Sequence, residues 1–242
     1  MAELTDRQIK ILKALIEAFI SGAAPVGSEE LVQSAKFDFS PATVRNEMVV
    51  LAHEGYIEKP HTSAGRVPTE LGVRFYITSL MEKQPLPVLQ EVGMKQRLFQ
   101  YRHSFERLLR EAVLTLAEAT NYLAAVTTHD GQVFYAGSVN LLEHPEFYDI
   151  NATRAILRLL DNWDLLHDFF SRAVESEEAR VLVGREMGLE NLEKAGVVFA
   201  HFGSEKRGGV VALIGPYRMN YQAVIPQVQG IATLLNELSQ NW

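Results

Sequence analysis

The sequence contains no cysteine in its 242 residues. That absence excludes disulfide staples, thiolate nucleophiles and every sulfur-ligated zinc or iron–sulfur centre. Long apolar runs are missing too: none approaches the ~20 residues that span a bilayer. The first residues, Met1-Ala2-Glu3-Leu4-Thr5-Asp6-Arg7, lack the basic stretch and apolar core of a secretory leader. A cytoplasmic protein with no membrane partner is expected. Histidines stand at 53, 61, 103, 129, 144, 167 and 201, and no two have the spacing of helical metal ligands. No G-x-S-x-G elbow, P-loop or G-x-G-x-x-G precedes a helix, and the glycines from Gly203 to Gly209 read as a turn between strands. Neighbouring carboxylates such as Glu29-Glu30 and Glu177-Glu178 point apart on a helix and suit helix starts better than acid–base pairs. The expectation is a chain with no cofactor and no metal that is not an enzyme. An excess of positive charge is also lacking. The net charge is −7, and residues 1–84 alone, with nine Lys or Arg and eleven Asp or Glu, come to −2. Any nucleic-acid contact must therefore come from local placement of a few cations.

What is present divides at Gln84-Pro85-Leu86-Pro87, where two prolines in three residues stop a helix and suggest a connector. The expected domains are residues 1–84 and 85–242. In the first, Thr5 and Gln8 form a capping-box pattern before apolar Ile9, Leu12, Ile16 and Phe19, which predicts a helix to about Ile20. Ser28 opens a short second helix. Ser40-Pro41 opens a third, whose Val44, Met48 and Leu51 mark a buried face and whose end is set by Gly55. Tyr56-Ile57-Glu58 and Arg66-Val67-Pro68 then read as two short strands joined by a polar tip, and Thr69 caps a fourth helix. This is the pattern of a winged helix-turn-helix.

In the second part, Leu98, Phe105, Ala112 and Ala119 recur seven apart, which predicts one long helix from about Val92 to Asn121. Its first half is basic through Lys95, Arg97, Arg102, Arg107 and Arg110; the alternatives are a solvated or acid-facing surface and a flanking phosphate contact. Strands are expected around a His129-Asp130-Gly131 turn, at Arg180 to Val183, at Val197 to Phe202 and at Gly209 to Ile214. Asn151 to Phe170 is read as mostly helical, and a last helix starts near Tyr221. The expected fold class is α+β: a winged helix-turn-helix, a long helix, and an antiparallel sheet covered by helices at the chain ends.

The third helix with the wing is the constellation that carries chemistry. Pro41, Ala42, Thr43, Arg45 and Asn46 lie away from the buried face. In a major groove Arg pairs with guanine, Asn with adenine, and Thr offers a methyl to thymine. The alternative is a solvated face with Arg45 and Asn46 paired to Glu47 or Glu29. Lys59, His61, Thr62, Ser63 and Arg66 gather phosphate-type donors on the wing, suited to backbone or minor groove.

Three strings of residues, Pro25-Val26-Gly27-Ser28, Ser40 to Met48 and Pro60 to Thr69, resemble the heat-inducible transcription repressor HrcA family. Asn121-Tyr122, Asn140 to Phe147 and Gly209 to Tyr221 are similar to its later blocks. The resemblance implies a dimeric repressor that binds an inverted-repeat operator ahead of chaperone genes. It implies a GAF-like second domain and an active form that depends on the chaperonin. It places Thr43, Arg45 and Asn46 against bases, with His61, Thr62, Ser63 and Arg66 against backbone or minor groove. The family usually inserts a dimerising segment where only His129 to Val139 stands here, so two-fold pairing through the Leu98 to Ala119 face or the last helix is the expectation instead. The rival readings are a regulator whose GAF-like domain senses a small molecule, and an adaptor that uses the winged helix for protein contacts.

Overall fold

The computed structural model describes residues 4–61, 64–171, 178–204 and 207–239. It forms two compact units, Met1–Lys83 and Gln84–Trp242. In the first, α1 (Asp6–Gly22) starts at a complete capping box made by Thr5 and Gln8 and buries Ile11, Leu12, Leu15, Ile16 and Phe19. The short α2 (Ser28–Ala35) follows, then α3 (Pro41–His53), which buries Val44, Met48 and Leu51 against α1 and α2. Gly55 takes a left-handed φ of 83° and turns the chain into β1 (Ile57–Glu58). The antiparallel partner β2 (Val67–Pro68) pairs Ile57 with Pro68 and Glu58 with Val67.

Thr69 then caps α4 (Glu70–Phe75). Its hydroxyl accepts from the Gly72 N–H and donates to the Gly55 carbonyl at 2.6 Å, which ties the end of α3 to the start of α4. The expected fourth helix continues only as a wider π turn over Tyr76–Leu80. There the buried Tyr76 donates to Glu17 on α1, and its phenol is pushed up to about 12 by burial and then by the Glu17 charge.

The second unit corrects the expectation of one long helix. Two helices, α5 (Val88–Phe99) and α6 (Phe105–Thr120), are separated by a turn. Arg102 closes the first by donating to the Phe99 carbonyl at 2.8 Å while its guanidinium lies 4.0 Å from the Phe99 ring centre. Folding back brings Arg97 to Glu111 (2.9 Å) and Glu118 (2.7 Å). In one continuous helix Glu111 would stand about 21 Å along the axis from Arg97. A seven-residue apolar repeat fits either arrangement, because both bury the same stripe.

A five-stranded antiparallel sheet follows, in the order β4 (Val133–Ala136), β3 (Leu123–Thr128), β7 (Gly208–Pro216), β6 (Ala195–Gly203), β5 (Arg180–Val183). The architecture is α+β. Side chains alternate between faces. Leu123, Ala125, Val197, Phe199, Ala212 and Ile214 share one core with α7 (Ile150–Leu160) and α8 (Trp163–Ser171). The residues between them on each strand face the other way, where α6 and α9 (Tyr221–Ser239) pack on the sheet. The sheet is thus covered on both faces, and the mid-chain helices α7 and α8 contribute one of the covers, which the expected helices at the chain ends did not include.

The faces expected to pair two copies are already used within this unit. Leu98, Leu108, Leu109, Ala112 and Leu116 are buried, as are Val224, Val228, Ile231 and Leu235 of α9. They form part of its core.

Candidate nucleic-acid interface

Ser40 sets where α3 begins. Its hydroxyl accepts from the Thr43 N–H at 3.2 Å and lies 3.0 Å from the Thr43 hydroxyl, while Pro41 occupies the first helical position. Thr43 is therefore half-buried and engaged with the cap. Arg45 and Asn46 are exposed, on the side opposite Val44 and Leu51.

Of their two expected alternative partners, Glu47 is engaged elsewhere. Glu47 accepts from Arg7 Nε at 2.7 Å and from Gln8 Nε2 at 3.0 Å, both at the start of α1. Among the described residues, neither the Arg45 nor the Asn46 side chain has a hydrogen-bond or ion-pair partner. The clamp on Glu47 neutralises a carboxylate beside them and braces α3 on α1. A contact spanning 40 residues of sequence was not visible in the string of residues, which showed Glu47 only as a neighbour of Arg45.

The ribbon places its donors beyond β1. Lys59 and His61 are exposed, and the His61 carbonyl accepts from the Ala64 N–H at 3.0 Å to close the tip. Thr62 and Ser63 lie outside the described residues. Arg66 is half-buried and its backbone exchanges two hydrogen bonds with Val26 at 2.8 and 2.9 Å, which adds a third short strand segment to the ribbon. Its Nε is buried with no hydrogen-bond partner among the described residues. Gly65 is required here, since a Cβ would stand 2.5 Å from the Val26 carbonyl oxygen. Exposed apolar Val49, one turn beyond Arg45 and Asn46, was missed, although its spacing from both was a usable signal.

The later blocks singled out in the sequence converge in the second unit. Buried Arg218 donates to Glu146 at 2.5 and 3.1 Å. His144 stacks on Tyr122 with ring centres 5.2 Å apart, and the Asn140 amide donates to the Tyr122 carbonyl at 3.1 Å. Burial first, then the Arg218 charge, pushes the His144 imidazole below its ordinary range. Arg218 thus fastens the start of α9 to the Pro145–Phe147 turn. Asn220 caps that helix through the Ala223 N–H at 3.3 Å.

The basic stretch of α5 and α6 is largely satisfied within the chain. Lys95 meets Glu237 at 2.8 Å, Arg97 meets Glu111 and Glu118, and Arg110 meets Glu106 at 2.9 Å while lying over the Phe134 ring. A groove of about 350 Å³ between α6 and β4 is lined by Arg110, Val113, Leu114 and Val133 to Tyr135, so the cation in it is already engaged. Among the described residues no group of three His, Asp or Glu is placed to hold a metal ion, and no helix is long and apolar enough to cross a membrane.

A family model described as the HrcA protein C-terminal domain matches residues 28–225. A heat-inducible transcription repressor HrcA from Shouchella clausii (strain KSM-K16) is 24% identical over 330 residues, covering 95% of this chain and 96% of the relative. Since this chain has 242 residues, at least 330 − 242 = 88 residues of that span have no counterpart here. A crystal structure described as that of a hypothetical protein shares the fold, with a TM-score of 0.77, 21% identity and 98% of each chain covered. With a family match over well more than half its length, the chain belongs to the HrcA family.

Proposed function

We propose that this protein is a transcription repressor that binds operator DNA through a winged helix-turn-helix in its first unit and releases it on heating. α3 is the recognition helix and the β1–β2 ribbon the wing. The observation that carries this reading is the freedom of Arg45 and Asn46. Two side chains with bidentate base-pairing chemistry stand exposed and unpaired on the face of α3 away from its core, while Arg7 and Gln8 occupy the adjacent carboxylate. In a major groove about 12 Å wide, such a helix reads bases with its leading residues, each bidentate pair giving ~1–3 kcal/mol of discrimination. Thr43 lines the same leading end. Lys59, His61, Thr62, Ser63 and Arg66 hold the phosphate backbone or enter the minor groove.

Two copies occupy the halves of an inverted repeat, spaced by about one helical turn or a multiple of it. Chaperone genes under that operator are repressed until heat depletes the folded dimer. The GAF-like second unit is the thermometer, and chaperonin supply restores the binding form, because mass action links the folded population to whatever assists it. The second unit holds internal defects in keeping with this role. Pro226 lies inside α9, and the Gln227 Oε1 and Thr115 hydroxyl oxygens are buried without partners.

Selection of duplexes from a random pool by the purified full chain tests the reading. Enrichment of an inverted repeat, lost on raising the temperature, is expected. Enrichment of nothing, with the chain folded, refutes it.

A further inference from the structure

α3 carries two exposed valines that this reading leaves unused, Val49 and Val50; only Val49 lies between Arg45 and Asn46 around the helix, Val50 being about 140° from Arg45. At about 100° per helical residue, Val49 lies within roughly 20–60° of Ala42, Arg45, Asn46 and His53, at the middle of their strip. It lies roughly 100–160° away from Val44, Met48 and Leu51, which are buried. Val49 is 56% exposed. A β-branched residue on the outer face of a helix gives up helix propensity and, in the free protein, gains no packing in return. Single exposed apolar residues are ordinary on surfaces. This one is bracketed by a free guanidinium and a free carboxamide on the face that meets the groove.

We infer that Val49 reads a thymine through its C5-methyl group, which makes it a third specificity residue of α3. The inference rests on the DNA-binding reading proposed above. Thymine is the one base that projects a methyl into the major groove. A short branched side chain cannot reach base edges as Arg and Asn do, but it meets a group that protrudes toward it. Cytosine at the same place would present its amino donor to an apolar surface and lose its hydrogen bond to water. The three-residue offset from Asn46 is about 4.5 Å along the helix axis, against about 3.4 Å per base pair along the duplex. The thymine therefore lies one to two base pairs from the pair met by Asn46.

The test uses the full chain and duplexes that it enriches from a random pool. Each thymine of one half-site is replaced in turn by deoxyuridine, which removes only the methyl, and affinities are measured for the wild type and for Val49→Ala. At one thymine the wild type should bind deoxyuridine about fourfold more weakly, the worth of one buried methyl group. Val49→Ala should bind the thymine duplex weaker by a similar factor and be indifferent to deoxyuridine at that position, with a melting temperature no lower than that of the wild type. The inference fails if no thymine responds in the wild type, or if Val49→Ala keeps the whole deoxyuridine penalty. Absence of any enriched duplex would instead defeat the DNA-binding reading, and this inference with it.

Discussion

Replacing Pro226 by alanine should stabilise the second unit and raise the temperature at which DNA is released. Pro226 is the sixth residue of α9, so it lies past the first turn, where a missing N–H would be harmless. At that depth proline removes a hydrogen bond to the carbonyl four residues back and crowds it, at a cost of about 3 kcal/mol. Alanine recovers most of this but restores freedom to the unfolded chain, worth up to about 1 kcal/mol in the other direction. The net gain is about 2 kcal/mol. For a unit of this size, about 2–4 °C of melting temperature per kcal/mol applies, so the midpoint should rise by about 4–8 °C. Circular dichroism melts of the full chain, run beside fluorescence-anisotropy measurements of operator binding against temperature, read both effects. A midpoint that stays or falls would mean α9 is bent in a way alanine cannot use. A raised midpoint with an unchanged release temperature would refute the second unit as thermometer.

The other predictions concern the interface and the clasp around Arg218. Arg45→Ala should cost about 1–3 kcal/mol on the selected operator and relax preference at one position, whereas Lys59→Ala should weaken all duplexes alike and lower the salt slope by about one; equal losses of both variants on every sequence would reject the division into base and backbone readers. Arg218→Ala leaves the Glu146 carboxylate buried without its cation, a loss of about 3–5 kcal/mol readable in urea midpoints; a loss below about 1 kcal/mol would show that water reaches the site. Ser40→Ala should cost ~1 kcal/mol through the cap, so its DNA affinity is best compared well below its melting temperature. His144, with its folded-state pKa depressed by burial and then by Arg218, contributes stability that is complete above the ordinary histidine value of about 6.5 and is lost as pH falls toward the folded value. Denaturation midpoints should therefore drop as pH falls below about 6.5, and drop less in His144→Phe, where an unchanged slope would assign the effect to other groups.

Local signals in this sequence were readable where the cause was local. The Thr5, Ser40 and Thr69 caps each depend on residues three apart, and each starts the helix that its pattern implies. The hairpin around the Asp130-Gly131 turn was equally plain, because the turn chemistry and the alternation occupy a few neighbouring positions, although its second strand stops at Ala136, short of the expected Ser138. The break between α5 and α6 was not readable. Gln100 to Ser104 contains neither glycine nor proline, and the turn is held by Arg102 folding onto Phe99 and by ion pairs that exist only once the helices lie together. For the interface, helical spacing placed Arg45 and Asn46 on an outer face, but their freedom depended on Arg7, 40 positions from Glu47. Arg66 shows the same limit: its backbone pairing with Val26 ties the β1–β2 hairpin to a segment that the sequence presents only as punctuation.

That pairing has a mechanical consequence. With Val26 stitched to Arg66 on one side and Thr69 fastened to Gly55 on the other, the hairpin has no slack joint at its root and behaves as a short cantilever anchored in the helical body. When such an arm and a rigid rod engage neighbouring grooves together, mismatch between their spacing and that of the duplex is absorbed by bending or twisting the softer partner. Base steps lying between the two footprints, touched by neither, would then influence affinity through their stiffness alone.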